Sequence, residues 1–242
     1  MTKKAPSLDE KGVPSTSNAA VQVRRVLLLG LVAGYVDALG FVDLNGVYTA
    51  AMTGNTVQLG ITFVRQQWSH FALIALTLGS FFCGGLISSL IRKRIRRPPA
   101  ELFIMAGLLI VTEGIRWRTP HLVSVELPLL AIAMAMQGET VSRFGGLSIQ
   151  TIVVTNTMLK CADAMVAYIG ERMNRRRSGA DGARPTGIVE IAVPATAWFA
   201  YTVGAGGGSA AAMSLRTPLL IPVILLILTA CDLLITSPHE SA

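Results

Sequence analysis

The sequence predicts an all-α, polytopic membrane helix bundle with six full spans, two re-entrant or broken helices and an inverted internal repeat. Three observations lead there. The 242 residues are 52% hydrophobic and 14% charged, with a mean hydropathy of +0.55, whereas a soluble domain carries roughly a quarter of its residues charged. The apolar residues gather into eight segments, most of them approaching the roughly 20 residues needed to cross a bilayer. Lys and Arg cluster between those segments, as they do in cytoplasmic loops. The net charge of +7 therefore reads as a topology signal, and no nucleic-acid partner is expected. The same composition excludes a disordered chain and argues against a water-soluble enzyme.

Residues 1–23 are polar, rich in Ser, Pro and Lys, and lack an apolar stretch behind the charges. They read as a disordered cytoplasmic tail and not as a signal peptide. A single transmembrane domain is expected over 24–237, with half repeats at about 25–118 and 124–236, and a short C-terminal tail at 238–242.

The first segment, 25–43, sets Gly30, Gly34, Asp37 and Phe41 on one helical face. The four-residue glycine spacing lets another helix approach closely, so Asp37 should point into the bundle. The second, 47–64, reads GVYTAAMTGNTVQLGITF and is unusually polar. The third, 69–91, carries Gly84 and Gly85, read as packing glycines, and stops at Arg92, Lys93, Arg94, Arg96 and Arg97. Pro98-Pro99-Ala100-Glu101 reads as the start of the fourth helix, proline in the first turn and an acid at the positive dipole end. That segment, 100–116, closes on Glu113 and Arg116, taken as interfacial, with Trp117 as an aromatic belt residue.

The fifth segment, 125–143, holds Gln137 and an i,i+4 pair, Glu139 and Arg143. The sixth, 147–169, is the other polar one, with Gln150, Thr151, Thr155, Asn156, Thr157, Lys160 and Asp163; Lys160 and Asp163 are spaced to neutralise each other. Ala200, Gly204, Gly208 and Ala212 repeat every four residues along the seventh, 187–213, as a packing stripe. In the eighth, 217–236, Asp232 lies near an end, where it can snorkel. Cys83, Cys161 and Cys231 sit in apolar stretches without disulfide or zinc spacing and read as packing residues; no metal site is expected.

Counting positive charge decides how many segments cross. If all eight cross from a cytoplasmic tail, 13 Lys/Arg fall inside and 7 outside. If 47–64 and 147–169 instead enter and leave on one face, 16 fall inside and only Arg65, Arg116, Arg118 and Arg216 outside, with Lys160 left within a segment. The positive-inside rule selects the second arrangement, with both termini cytoplasmic. Polar side chains and broken backbone at membrane depth need protein or a watery cavity around them, so both polar segments are expected in the bundle interior.

Asn55-Thr56 and Asn156-Thr157 are 101 residues apart, each in the second segment of its half. Phe81-x-x-Gly84 and Tyr201-x-x-Gly204 correspond at an offset of 120. With three spans per half, the second copy is inverted, and interrupted helices at matching places in inverted repeats point to a solute site near the midplane.

Ionisable groups at membrane depth are costly and are functional candidates. Asp37 is read either as a proton-coupling or cation-binding carboxylate or as a structural group hydrogen-bonded to the polar segment. Thr53, Gly54, Asn55, Thr56 and Gln58, with Gln137, Asn156 and Thr157, are the remaining candidates for the solute path. Gly30, Gly34, Gly84, Gly85, Gly204 and Gly208 are assigned to helix packing. No nucleotide, dinucleotide or metallohydrolase motif occurs, and His70, His121 and His239 each stand alone. No catalytic residue, cofactor or enzymatic activity is therefore expected.

Gly34-Tyr35-Val36-Asp37-Ala38-Leu39-Gly40-Phe41, Thr53-Gly54-Asn55-Thr56-Val57-Gln58-Leu59-Gly60, and later Met136-Gln137 and Arg143-Phe144-Gly145-Gly146 resemble the YoaK-like transmembrane family, also called domain of unknown function 1275. The resemblance covers roughly residues 25 to 236. It implies a multi-spanning, mostly bacterial membrane protein and names no substrate. The chain departs from the family pattern where Gln137 is followed by Gly138-Glu139 and where Val154-Thr155-Asn156-Thr157 replaces a Thr-Gly turn.

The expectation is a secondary transporter or channel-like permease of the cytoplasmic (inner) membrane, moving a small polar solute or ion. The alternative is a non-transporting membrane protein whose polar interior serves packing or partner binding. Small-residue stripes also suggest a homo-oligomer.

Overall fold

The structure is a computed structural model that describes residues 16–95, 98–119, 122–141, 154–178 and 188–236. Its helices are α1 (Thr16–Asp43), α2 (Met52–Val64), α3 (Trp68–Ile95), α4 (Pro98–Arg118), α5 (Val123–Val141), α6 (Val154–Ser178), α7 (Ile188–Ser214) and α8 (Leu220–Thr236), with no strand among the described residues. The all-α class thus holds. The first helix starts earlier than expected, since residues 16–23 continue α1 where a disordered tail was anticipated. No proline or glycine between 16 and 23 stands in the way of a helix.

Contacts between helix ends fix the directions. Arg116 near the end of α4 reaches Asp43 at the end of α1 at 2.6 Å and Glu126 in the first turn of α5 at 3.7 Å. Glu113 of α4 meets Leu219 at the start of α8. At the opposite end, Arg24 and Arg25 of α1 pair with Asp232 near the end of α8, and Arg92 near the end of α3 lies 3.8 Å from Glu101 in the first turn of α4. Val26 of α1 packs with Val193 and Ala197 near the start of α7. So α1, α4 and α7 run one way, and α3, α5 and α8 the other. The chain leaves α1 and enters α3 at the same end, and it leaves α5 and enters α7 at the other.

The interior is built from parallel pairs. α1 packs along α7 and α3 along α5; α4 packs on α8 and α5, and α1 also touches α5 and α8. Glycine allows the closest approaches. A Cβ on Gly34 would overlap the carbonyl oxygen of Tyr201, one on Gly204 that of Leu31, and one on Gly208 that of Tyr35. Gly84 repeats the device on the other pair, where an added Cβ would stand 2.8 Å from the Ile132 Cα. Without a hydrophobic driving force inside a bilayer, such backbone proximity is a main source of helix association. Gly30, Gly34, Gly84, Gly204 and Gly208 each lie against a neighbouring helix. Gly85 does not, because its Cβ direction opens on empty space. The stripes are engaged within the chain, so they give no basis for self-association.

The distribution of polarity is the reverse of a soluble domain's. Asp37, Asn55, Thr77, Ser88 and Gln137 are buried, while Phe82, Leu90, Val111, Phe199 and Leu228 are exposed along the outer faces of α3, α4, α7 and α8. By length and composition Val23–Asp43 and Trp68–Arg94 are long and apolar enough to cross a membrane; Val123–Gln137 and Leu220–Ile235 are shorter apolar helices. Cys83 and Cys231 are exposed and Cys161 is half-buried, so the first two face outward instead of filling the core.

α2 and α6 depart most from expectation. α2 has 13 residues, a length of about 20 Å, too short for a hydrocarbon core of about 30 Å. It lies on α3, while α6 lies on α7, and the two do not touch each other among the described residues. The expected meeting of the polar segments near the midplane is not found among the described residues. Nor is α6 interior: Met158, Leu159, Lys160, Asp163, Val166 and Ile169 are exposed. The physical reason is its periodicity, since among its described side chains only Thr157, Cys161, Ala164 and Tyr168, a single narrow stripe, are buried or half-buried. Gln150, Thr151 and Arg143, and the side chain of Glu139, lie outside the described residues.

Candidate functional site

The site grows from Asp37. Gly34 lets α7 come close enough for Tyr201 to reach one turn along α1, and the Tyr201 hydroxyl donates to Asp37 Oδ2. Asp37 Oδ1 accepts from three successive backbone groups, the Thr49 N–H at 2.8 Å, the Ala50 N–H at 2.8 Å and the Ala51 N–H at 3.3 Å, and from the Thr49 hydroxyl at 3.4 Å. These residues lead into α2, so Asp37 holds from a neighbouring helix the backbone just ahead of the first turn, where no strand or helix partner satisfies it. Ala51, at the N-cap of α2, makes no side-chain capping bond itself.

The irregular stretch 44–51 is held at a second point. Asn55 Oδ1 accepts the Tyr48 N–H at 3.0 Å, and Asn55 Nδ2 donates to the Tyr48 carbonyl at 2.7 Å. This two-way pairing satisfies both polar groups of one peptide residue, which membrane depth demands. Asn45 and Gly46 turn the chain with positive φ of 60° and 72°, an αL pair that Asn and Gly tolerate best. The Phe41 ring stacks on Tyr48 with centroids 4.6 Å apart. Asp37 and Asn55 are 1% and 0% exposed.

The other expected residues divide. Thr53 and Thr56 are exposed on the outer side of α2, with the Thr56 hydroxyl returned to the Met52 carbonyl; Gly54 and Gln58 are half-buried. Gln137 is fully buried on α5, where its Nε2 donates to the Leu29 carbonyl of α1. Thr157 is buried against α7, and the Asn156 side chain lies outside the described residues. The structure thus brings Asp37, Asn55 and Tyr201 together and leaves Thr53, Thr56 and Thr157 apart from them. Tyr201 was read only as a repeat marker. Its signal was its placement one turn before Gly204 in the packing stripe.

A second polar centre was missed. Glu113, Arg116 and Glu126 were placed at an interface or passed over, yet Glu113 and Glu126 are 6% and 1% exposed. Asp232 does not snorkel freely but pairs with Arg24 and Arg25. Spacing along one helix could not reveal these contacts, because every partner comes from another helix.

A family model described as Protein of unknown function (DUF1275) matches residues 26–231. The chain belongs to the DUF1275 family. The UPF0700 transmembrane protein YoaK of Bacillus subtilis (strain 168) is 30% identical over 148 residues. That match takes in 58% of this chain and 65% of YoaK, just under two thirds of the relative's length. No solved structure matches the chain. This DUF1275 protein is accordingly a membrane protein, in agreement with its apolar exterior. The segments that carry the family resemblance, 34–41 and 53–60, include the two side chains, Asp37 and Asn55, that shape the broken stretch.

Proposed function

We propose that this DUF1275 protein is a multi-pass permease of the cytoplasmic membrane, with six spans, both termini inside and an inverted duplication, moving a small polar solute or ion. The observation that carries this reading is the agreement between its halves. Burial from 29 to 36 repeats residue by residue from 130 to 137, and burial from 81 to 90 repeats from 201 to 210. Those offsets, 101 and 120, are the ones that relate Asn55 to Asn156 and Gly84 to Gly204. The glycine contacts obey them as well, Gly204 over Leu31 and Gly84 over Ile132. Exchanging halves turns α1 on α7 into α5 on α3, and α2 on α3 into α6 on α7. An odd number of spans per half inverts the second copy, the architecture in which secondary transporters place a solute site between repeats. In this reading the protein is not an enzyme and holds no cofactor.

Asp37 serves here as the fastening of a broken helix, its oxygens already occupied. That saturation, and the separation of α2 from α6, favours one rival, a membrane protein that transports nothing. Purified protein in liposomes decides between them. Flux of any member of a panel of small polar solutes and ions above protein-free vesicles supports the permease; a flat response across the panel supports the rival.

A further inference from the structure

A second buried carboxylate, on α4, is left half unsatisfied. Glu113 lies on α4 beside the start of α8, where its Oε2 accepts the Leu219 N–H at 3.0 Å. Its Oε1 is buried and has no hydrogen-bond partner, and Glu113 makes no ion pair among the described residues. An ionised carboxylate with a bare oxygen shut away from water is strongly disfavoured, and adding a proton is the least costly remedy.

The surroundings are consistent. From α1, Tyr35 commits its hydroxyl to the Pro218 carbonyl at 2.7 Å, and Asp43 is taken by Arg116. From α5, Glu126 lies 3.7 Å from Arg116. α3 carries His70 at its start, while its Arg92 is with Glu101 at the opposite end of α4. On α8, Asp232 is at the far end with Arg24 and Arg25. The nearest guanidinium along α4 is thus Arg116, one turn away and divided between two other acids. Its Nη1 is itself buried without a partner.

We propose that Glu113 carries the coupling proton of this permease, and that its release draws Arg116 onto the freed carboxylate and away from Asp43 and Glu126. This rests on the permease reading. Since Arg116 ties the ends of α1, α4 and α5 together, moving it loosens that end of the bundle, and the proton state of one side chain is converted into a change of access.

Dicyclohexylcarbodiimide, which modifies protonated carboxyls in apolar surroundings, tests the proton directly on the purified full chain. Mass spectrometry should find Glu113 modified at about pH 5.5 and modified at least about tenfold less at about pH 9, with the adduct lost in Glu113→Gln. An unmodified Glu113, or equal modification at both pH values, overturns the proposal. In liposomes loaded with a pH dye and offered the same solute panel, Glu113→Gln, which has no proton to release, should lose the solute movement that a pH gradient drives through the unaltered chain. A variant that keeps the gradient response overturns the coupling. Modification that falls with pH in a protein moving nothing overturns the permease reading and the coupling with it, while leaving the proton on Glu113.

Discussion

Asp37 and Asn55 do their work on backbone groups, which is why their positions were legible in the sequence and their roles were not. Helical spacing from Gly30 and Gly34 pointed Asp37 inward, and polarity pointed Asn55 to the interior. No residue pattern encodes the N–H groups of 49–51, so the choice between a titrating and a structural carboxylate stayed open until the contacts were known. Asp37→Ala strands three backbone donors and the Tyr201 hydroxyl, and should destabilise by about 3 kcal/mol or more. Asp37→Asn keeps an acceptor for the backbone and should cost only about 1 kcal/mol; detergent thermal melting measures the contrast, and equal losses would contradict it. Asn55→Asp keeps size but puts an acceptor against the Tyr48 carbonyl, so it should melt below Asn55→Ala. Thr53 and Thr56 were misplaced because α2 begins only at Met52, which sets them on the face opposite Asn55.

At the level of elements, the sequence marked eight helices but left their faces ambiguous where small and polar residues mix. Neighbouring glycines give the sharpest test. Gly84→Ala must push α3 from α5 or shift the Ile132 backbone, a cost of about 1–3 kcal/mol, whereas Gly85→Ala meets nothing and should be neutral or gain up to about 1 kcal/mol from helix propensity. The same assay on Gly34→Ala should show a loss at least as large as for Gly84. Similar melting for Gly84→Ala and Gly85→Ala would mean that α3 and α5 are not in backbone contact. The stripe along α6 was overlooked because the polar residues between its members suggested a wholly sheltered helix, when one side of it is enough to bind α7.

For the whole molecule, the proposed topology rests on charge counting, and the helix directions are compatible with it. The counting uses Lys and Arg in the connections, the directions ion pairs between helix ends. Single cysteines replacing Arg65 and Arg118 should react with an impermeant maleimide added outside intact cells, and those replacing Arg94 and Arg176 only after permeabilisation. External labelling at Arg94 with protection at Arg65 would restore eight crossings. The halves are not equivalent in chemistry: at the repeat offsets Asp37 corresponds to Gly138 and Tyr201 to Phe81. In the proposed duplication the buried acid fastening would thus belong to one half alone, which no reading of either half by itself could disclose.

The spacing of Asp37 from its partners also bears on how the chain is made. Three of its donors lie 12, 13 and 14 residues downstream, whereas Tyr201 lies 164 residues away. A nascent first helix entering the lipid would otherwise hold a naked acid until α7 was synthesised. Because the ribosome delivers 49–51 almost at once, that charge can be sheathed by its own hairpin during insertion, and the late arrival of α7 completes a junction that is already safe.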